Sequence, residues 1–135
     1  FIFGTSIEVS TKMNSRISKK SVMYHSKIKK KDKEKAFKQF SKGSKTIFNA
    51  VQSMNEGLDV PEASIGIIRD SDSSRRKARQ QLGRIIRATE DPDKVATLIN
   101  IITSNSVEVS WAEKKFQGLK TKTVDLEQLK TILNE

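Results

Sequence analysis

The 135-residue chain contains no cysteine. That excludes disulfides and thiolate metal sites and suits a compartment that keeps thiols reduced. Its single histidine, His25, argues against a histidine-based metal site. No apolar run approaches the roughly 20 residues that a membrane span requires. No secretory leader is visible, and a chain that opens directly on an apolar strand is expected to be a piece of a longer protein. No nucleophile–base pair and no two-carboxylate site stands out. No G-x-x-x-x-G-K-S/T run occurs either, since Gly4-Thr5-Ser6 and Gly43-Ser44-Lys45 both fail to match it. A D-E-x-H/D tetrad is also missing.

What the chain does have is positive charge. Lysine and arginine number 26 against 16 acidic residues, a formal net charge of +10. Such an excess suits a polyanionic partner through counterion release and field steering, although lysine-rich solvated faces are also common. The densest basic run is Lys27, Lys29, Lys30, Lys31, Lys33 and Lys35. It reads either as a solvated entry into a helix or as an edge that tracks phosphates.

At this length the chain can form one domain with a real core. Short apolar runs at residues 1–3, 22–24, 46–48, 65–68 and 95–102 are rich in β-branched or aromatic side chains. Continuous runs of that kind read as strands buried on both faces, as in a parallel sheet. Between them lie amphipathic stretches. Residues 7–17, 32–42, 74–87, 108–119 and 124–133 are expected to be helices, with Gly43 stopping the second. Alternating strand and helix argue for right-handed βαβ units. Residues 120–123 form a polar linker before the last helix, which is expected to pack on the lobe formed by residues 1–119.

In open α/β sheets, ligands sit beyond the carboxyl ends of the strands. Residues 4–6, His25, 50–52 and 70–74 all follow apolar runs, so they are expected to share one edge.

Two stretches carry most of the chemistry. The first is Asn55-Glu56-Gly57-Leu58-Asp59-Val60-Pro61, and about 20 residues on comes Gln80-Gln81-Leu82-Gly83-Arg84-Ile85-Ile86-Arg87. Arg84 and Arg87 stand three apart, which puts both guanidinium groups on one helix face. Arginine gives a planar, two-pronged grip on phosphate oxygens. The plain alternative is a surface pair bound to carboxylates such as Glu56 or Asp59. Gly57 permits a positive φ or a close approach by phosphate, or simply makes a turn. Asp59 could accept hydrogen bonds from a ribose hydroxyl or an ordered water, or could cap the loop before Pro61. His25 reads more readily as a loop anchor than as a base. Trp111 reads more readily as packing than as recognition, Tyr24 reads as core, and the serines at 71, 73 and 74 could contact phosphate but read more simply as caps for the helix that follows.

Taken together, the two stretches resemble motifs V and VI of superfamily 2 helicases and translocases. Phe1-Ile2-Phe3-Gly4-Thr5-Ser6 is similar to motif IV of the same family. Met23-Tyr24-His25-Ser26 and residues 37–43 resemble the segment between motifs IV and V, and Ile101-Ile102-Thr103 with Glu108 and Trp111 resembles the closing strand and helix. The chain departs from the pattern at Gln81, where the family usually has arginine or histidine, and at Val51, where motif V often has threonine.

The resemblance implies a RecA-like α/β domain with a parallel sheet of about five or six strands flanked by helices. It implies Arg84 and Arg87 as catalytic arginine fingers and Gly57, Asp59 and Gln80 as ATP-binding residues. It implies Gly4, Thr5, Ser6, Val51, Gln52 and Ser53 as backbone contacts to nucleic acid, DNA more than RNA. A motor of this family also needs a phosphate-binding loop and magnesium carboxylates, which belong to its other, N-terminal RecA-like lobe. ATP with Mg2+ would therefore sit between the two lobes, with the metal ligands on the missing one. The motif style looks closer to the repair, restriction and phage helicases than to the DEAD-box RNA helicases. Two other readings stay open: a non-enzymatic basic nucleic-acid-binding module, and a structural lobe without ATPase function, which Gln81 suggests.

Overall fold

A computed structural model describes residues 1–17, 19–51, 63–70, 73–86, 93 and 95–134. Five strands form one sheet in the order β2-β3-β1-β4-β5, and every neighbouring pair is parallel. The strands are β1 (Ile2–Gly4), β2 (Ser21–Tyr24), β3 (Ile47–Val51), β4 (Ile65–Ile68) and β5 (Thr97–Asn100). The helices are α1 (Ile7–Ile17), α2 (Lys30–Ser41), α3 (Arg75–Ile86), α4 (Val107–Lys115) and α5 (Leu126–Asn134). The expected parallel α/β architecture is what forms.

The topology follows from crossover handedness. From central β1 the chain passes through α1 to β2 at one edge, then returns through α2 to β3. Right-handed connections running in opposite directions must lie on opposite faces, which separates α1 from α2. Both helices pack on β2 and β3, while α3 packs on β4, β5 and α4.

Alternation along the strands assigns the side chains to the two faces. Phe1, Phe3, Val22, Tyr24, Phe48, Ala50 and Ile68 form one buried cluster with Ala36 of α2, against which Phe37 and Phe40 pack. The Phe48 ring lies 5.0 Å from that of Phe1, 5.3 Å from Phe40 and 5.5 Å from Tyr24. Asn49, between Phe48 and Ala50, points to the other face, where its side-chain nitrogen donates to the Ser10 carbonyl of α1 at 3.2 Å.

Local chemistry sets most element ends. Ser6 starts α1, and its hydroxyl accepts from the Val9 N–H at 3.3 Å. Gly43, with φ +75, follows the last turn of α2, a left-handed position that glycine adopts without strain. Asp125 and Gln128 cap α5 reciprocally, each side chain accepting from the other's backbone N–H.

Three expectations shift. The strand expected over 95–102 narrows to Thr97–Asn100, and Val95 is 80% exposed. Only residues 97–100 pair with β4, because β4 itself is four residues long. The helix expected over 108–119 ends at Lys115, and Gly118 at φ +86 turns the chain, which leaves Leu119 exposed. The last helix forms, but no α5 residue is buried and its apolar Leu126, Ile132 and Leu133 are exposed.

Candidate functional site

Because all five strands are parallel, their carboxyl ends share one edge. Across that edge in sheet order lie His25 after β2, Val51 at the end of β3, the turn containing Thr5 and Ser6 after β1, Arg69 and Asp70 after β4, and Ile101 to Thr103 after β5. Residues that the sequence spreads over most of the chain therefore meet on one side of the molecule.

The turn after β1 is the best defined part of this edge. Asp70 accepts from the Thr5 backbone N–H at 2.8 Å and from the Thr5 hydroxyl at 3.1 Å. It also accepts two bonds from Arg69, one from Nε at 2.9 Å and one from Nη2. Charge-assisted bonds of this kind favour the ionised carboxylate. The Arg69 hydrogen bond, with help from Thr5, holds the Asp70 carboxyl at about 2, against the partial burial that would raise it. The Arg69 guanidinium in turn lies across the end of β1 and reaches α1, 3.8 Å from the Met13 sulfur. Gly4 makes room for it, since a Cβ there would come within 2.6 Å of Arg69 Nη2 and 2.7 Å of Ser10 Oγ.

A second carboxylate repeats the device after β5. Glu108 accepts from the Thr103 backbone N–H at 2.6 Å, and this bond sets its carboxyl below the usual range. At the other end of the edge, His25 Nδ1 accepts from the Lys27 N–H at 3.2 Å. Partial burial first, then Lys33 and Lys27, lower its pKa, which favours the neutral ring that accepts this bond. The basic run follows immediately. Lys27, Lys29, Lys30, Lys31 and Lys35 are exposed, and the Lys33 ammonium sits 5.6 Å from the Tyr24 ring centre.

The helix start there is unusual. Lys29 caps α2 with no side-chain cap bond, and Asp32 alone offsets the lysines of the first turn. Cations at a helix N-terminus oppose the macrodipole. α3 repeats the pattern with Arg75 and Arg76 and no acid in its first turn. Arg75, Arg76, Arg79 and Gln80 line a shallow hollow of about 470 Å³.

The residues expected to bind or catalyse are placed as follows. Gly4 and Val51 are buried in the sheet, Thr5 is exposed, and Ser6 is half-buried. Gln80 is exposed on α3, and Arg84 lies in the last turn of that helix. Gln52, Ser53, Gly57, Asp59 and Arg87 lie outside the described residues. Ser74 precedes α3 as expected of a cap position, Tyr24 is buried, and Trp111 is half-buried on α4. Sequence reasoning had no role for the Arg69–Asp70 pair. Its one available signal was an adjacent arginine and aspartate directly after an apolar run. Among the described residues, no group of three or more His, Cys, Asp or Glu side chains could hold a metal ion, and no helix is long and apolar enough to cross a membrane.

Residues 1–89 match the helicase conserved C-terminal domain. Over 107 residues the chain is 31% identical to the DNA 3'-5' translocase XPB2 of Sulfurisphaera tokodaii, an alignment covering 78% of this chain and 24% of that protein. The chain thus spans about a quarter of that relative's length. The C-terminal domain of the DEAD-box protein Dbp5 superposes with a TM-score of 0.71 at 16% identity, covering 98% of this chain and 79% of that one. The yeast DEAD-box splicing factor Prp28 superposes with a TM-score of 0.69 at 18% identity, covering 98% of this chain and 30% of that one. At such identities the solved structures share the fold, a RecA-like parallel sheet with flanking helices.

Proposed function

The chain belongs to the helicase conserved C-terminal domain family, the second RecA-like lobe of superfamily 2 helicases and translocases, and from that premise we propose that it is half of an ATP-dependent DNA motor. In this reading it works with an N-terminal RecA-like lobe that carries the phosphate-binding loop and the magnesium carboxylates. Bound ATP with Mg2+ supplies the hydrolysable phosphoanhydride between the lobes. Arg84 and Arg87 would hold the phosphates and offset the charge that builds on the terminal phosphoryl group as it passes to water. An arginine supplied from outside the phosphate-binding loop is worth about three to five orders of magnitude in rate. Gln80, Gly57 and Asp59 are the residues this reading assigns to nucleotide binding.

The observation that carries the reading is the Gln80-to-Arg87 run, of which residues 80–86 lie on α3, a helix that starts from the carboxyl edge of the sheet. The strand-contact role of Gly4, Thr5, Ser6, Val51, Gln52 and Ser53 is supported by the meeting of the β1 and β3 ends at that edge. The lysines of α2 flank it, which favours a phosphate backbone held without base readout. The translocase relative named for DNA favours DNA over RNA. Gln81 supports a second reading, a structural lobe that has lost ATPase function.

An ATPase assay on the 135-residue chain tests the half-motor reading. Hydrolysis should stay at the level of a buffer blank, with turnover appearing only in a two-lobed protein that carries this chain. Robust turnover by the chain alone contradicts the reading, and a two-lobed protein that binds strand but never turns over selects the second.

A further inference from the structure

Thr5 was expected to touch the strand, yet both of its hydrogen-bond donors are taken up by a neighbouring side chain. Its N–H and its hydroxyl end on one carboxylate, Asp70. The same carboxylate takes two bonds from Arg69, whose side chain is only 11% exposed and is lodged over Gly4 against α1. One group at the end of β4 therefore fixes the turn after β1 from two sides, through Thr5 directly and through Arg69 beneath it. A carboxylate beside a phosphate track is otherwise a liability, since it repels the strand.

We propose that Asp70 is the positioning residue of the strand-contact turn, and that Thr5 serves the turn from within rather than contacting the strand. The proposal rests on the reading that the turn at residues 4–6 meets nucleic acid, and changes that reading at Thr5 alone. It makes a prediction opposite in sign to plain electrostatics. Removing a negative charge next to a polyanion should tighten binding. Loosening the turn should weaken it.

The test is fluorescence anisotropy of a labelled oligothymidylate with the 135-residue chain, across a salt series, for Asp70→Asn, Thr5→Val and the double variant. Circular dichroism melts confirm that each is folded at the assay temperature. Thr5 is exposed, so Thr5→Val keeps the test open if Asp70→Asn does not fold. Amide shifts of residues 4–6 on adding oligonucleotide to the unmodified chain test the underlying reading separately.

With those amides shifting, Asp70→Asn should weaken binding about three- to tenfold at an unchanged salt slope, the scale of one or two net hydrogen bonds. Thr5→Val should weaken binding by itself and add nothing in the Asp70→Asn background. Tighter or unchanged binding by Asp70→Asn overturns the proposal while leaving the strand-contact reading intact. An equal Thr5→Val loss in both backgrounds overturns it too, because it makes Thr5 a direct contact. Unshifted amides at 4–6 overturn the reading, and the proposal with it.

Discussion

On the β2–β3–β1 side of the sheet, α1 covers one face and α2 the other. Phe48 there is fully buried, and Phe1, Phe3, Val22, Tyr24, Ala50 and Val51 are nearly so. On the β4–β5 side, α3 is the helix that packs on both strands. Every residue of β5 is only half-buried, and Ile65, at the start of β4, is 42% exposed. One half of the sheet thus carries the dense aromatic core, while the other carries the helix with the arginine run. Burial is divided unevenly along the same sheet. If, as proposed, the arginine run of α3 serves the ATP site, it does so from the less buried half, where elements with fewer buried contacts move at lower cost.

The sharpest way to break that comparison is to empty the dense half. Phe48→Ala removes the ring shared by Phe1, Tyr24 and Phe40 and should cost about 3–5 kcal/mol, read as a large fall in the urea midpoint. A loss below about 1 kcal/mol would mean that the aromatic cluster does not hold the fold.

The link between the halves should be weaker and should depend on pH. Asp70 ties the end of β4 to the β1 turn, and its folded pKa, about 2, is depressed from an ordinary value of 3.8. Such a group stabilises the fold fully above its unfolded pKa, and the contribution is lost as pH falls through that value towards 2. Arg69, Thr5 and the nearby Glu108 are the groups that face it. Allowing for partial exposure, Asp70→Asn should cost about 1 kcal/mol at neutral pH and flatten the acid limb of thermal midpoints measured between pH 5 and 2. If the limb keeps its full slope in the variant, other carboxylates account for it.

The smallest effect should fall at the open flank. Val95, just before β5, is 80% exposed, so Val95→Ser should change stability by no more than about 0.5 kcal/mol. A larger loss would reveal packing on this side that its exposure does not suggest.

The architecture was partly legible beforehand. Short apolar runs at regular intervals marked the parallel strands, and Gly43 marked a helix stop, because both signals are local. The gathering of residues 4–6, His25, Val51 and Asp70 on one edge followed from strand direction alone. The Arg69–Asp70 clamp did not, because it depends on β4 lying beside β1, and their residues are more than 60 positions apart. The ends of β5 and α4 also slipped, since the apolar Val95, Ile101 and Leu119 look like core in a sequence but are exposed, outside the bounds of the strand and the helix. α5 shows a similar gap: its capping box is local and formed, while burial of its apolar stripe depends on a surface that the sequence does not specify.

The central claim is that this lobe supplies arginines to a hydrolysis site completed by another lobe. Steady-state ATPase kinetics of Arg87→Ala, in a two-lobed protein carrying this chain and saturated with single-stranded DNA, test it most directly. A contact made in the transition state predicts a fall in kcat of about three orders of magnitude or more with KM for ATP changed far less. Unchanged kcat would remove Arg87 from catalysis and contradict the account.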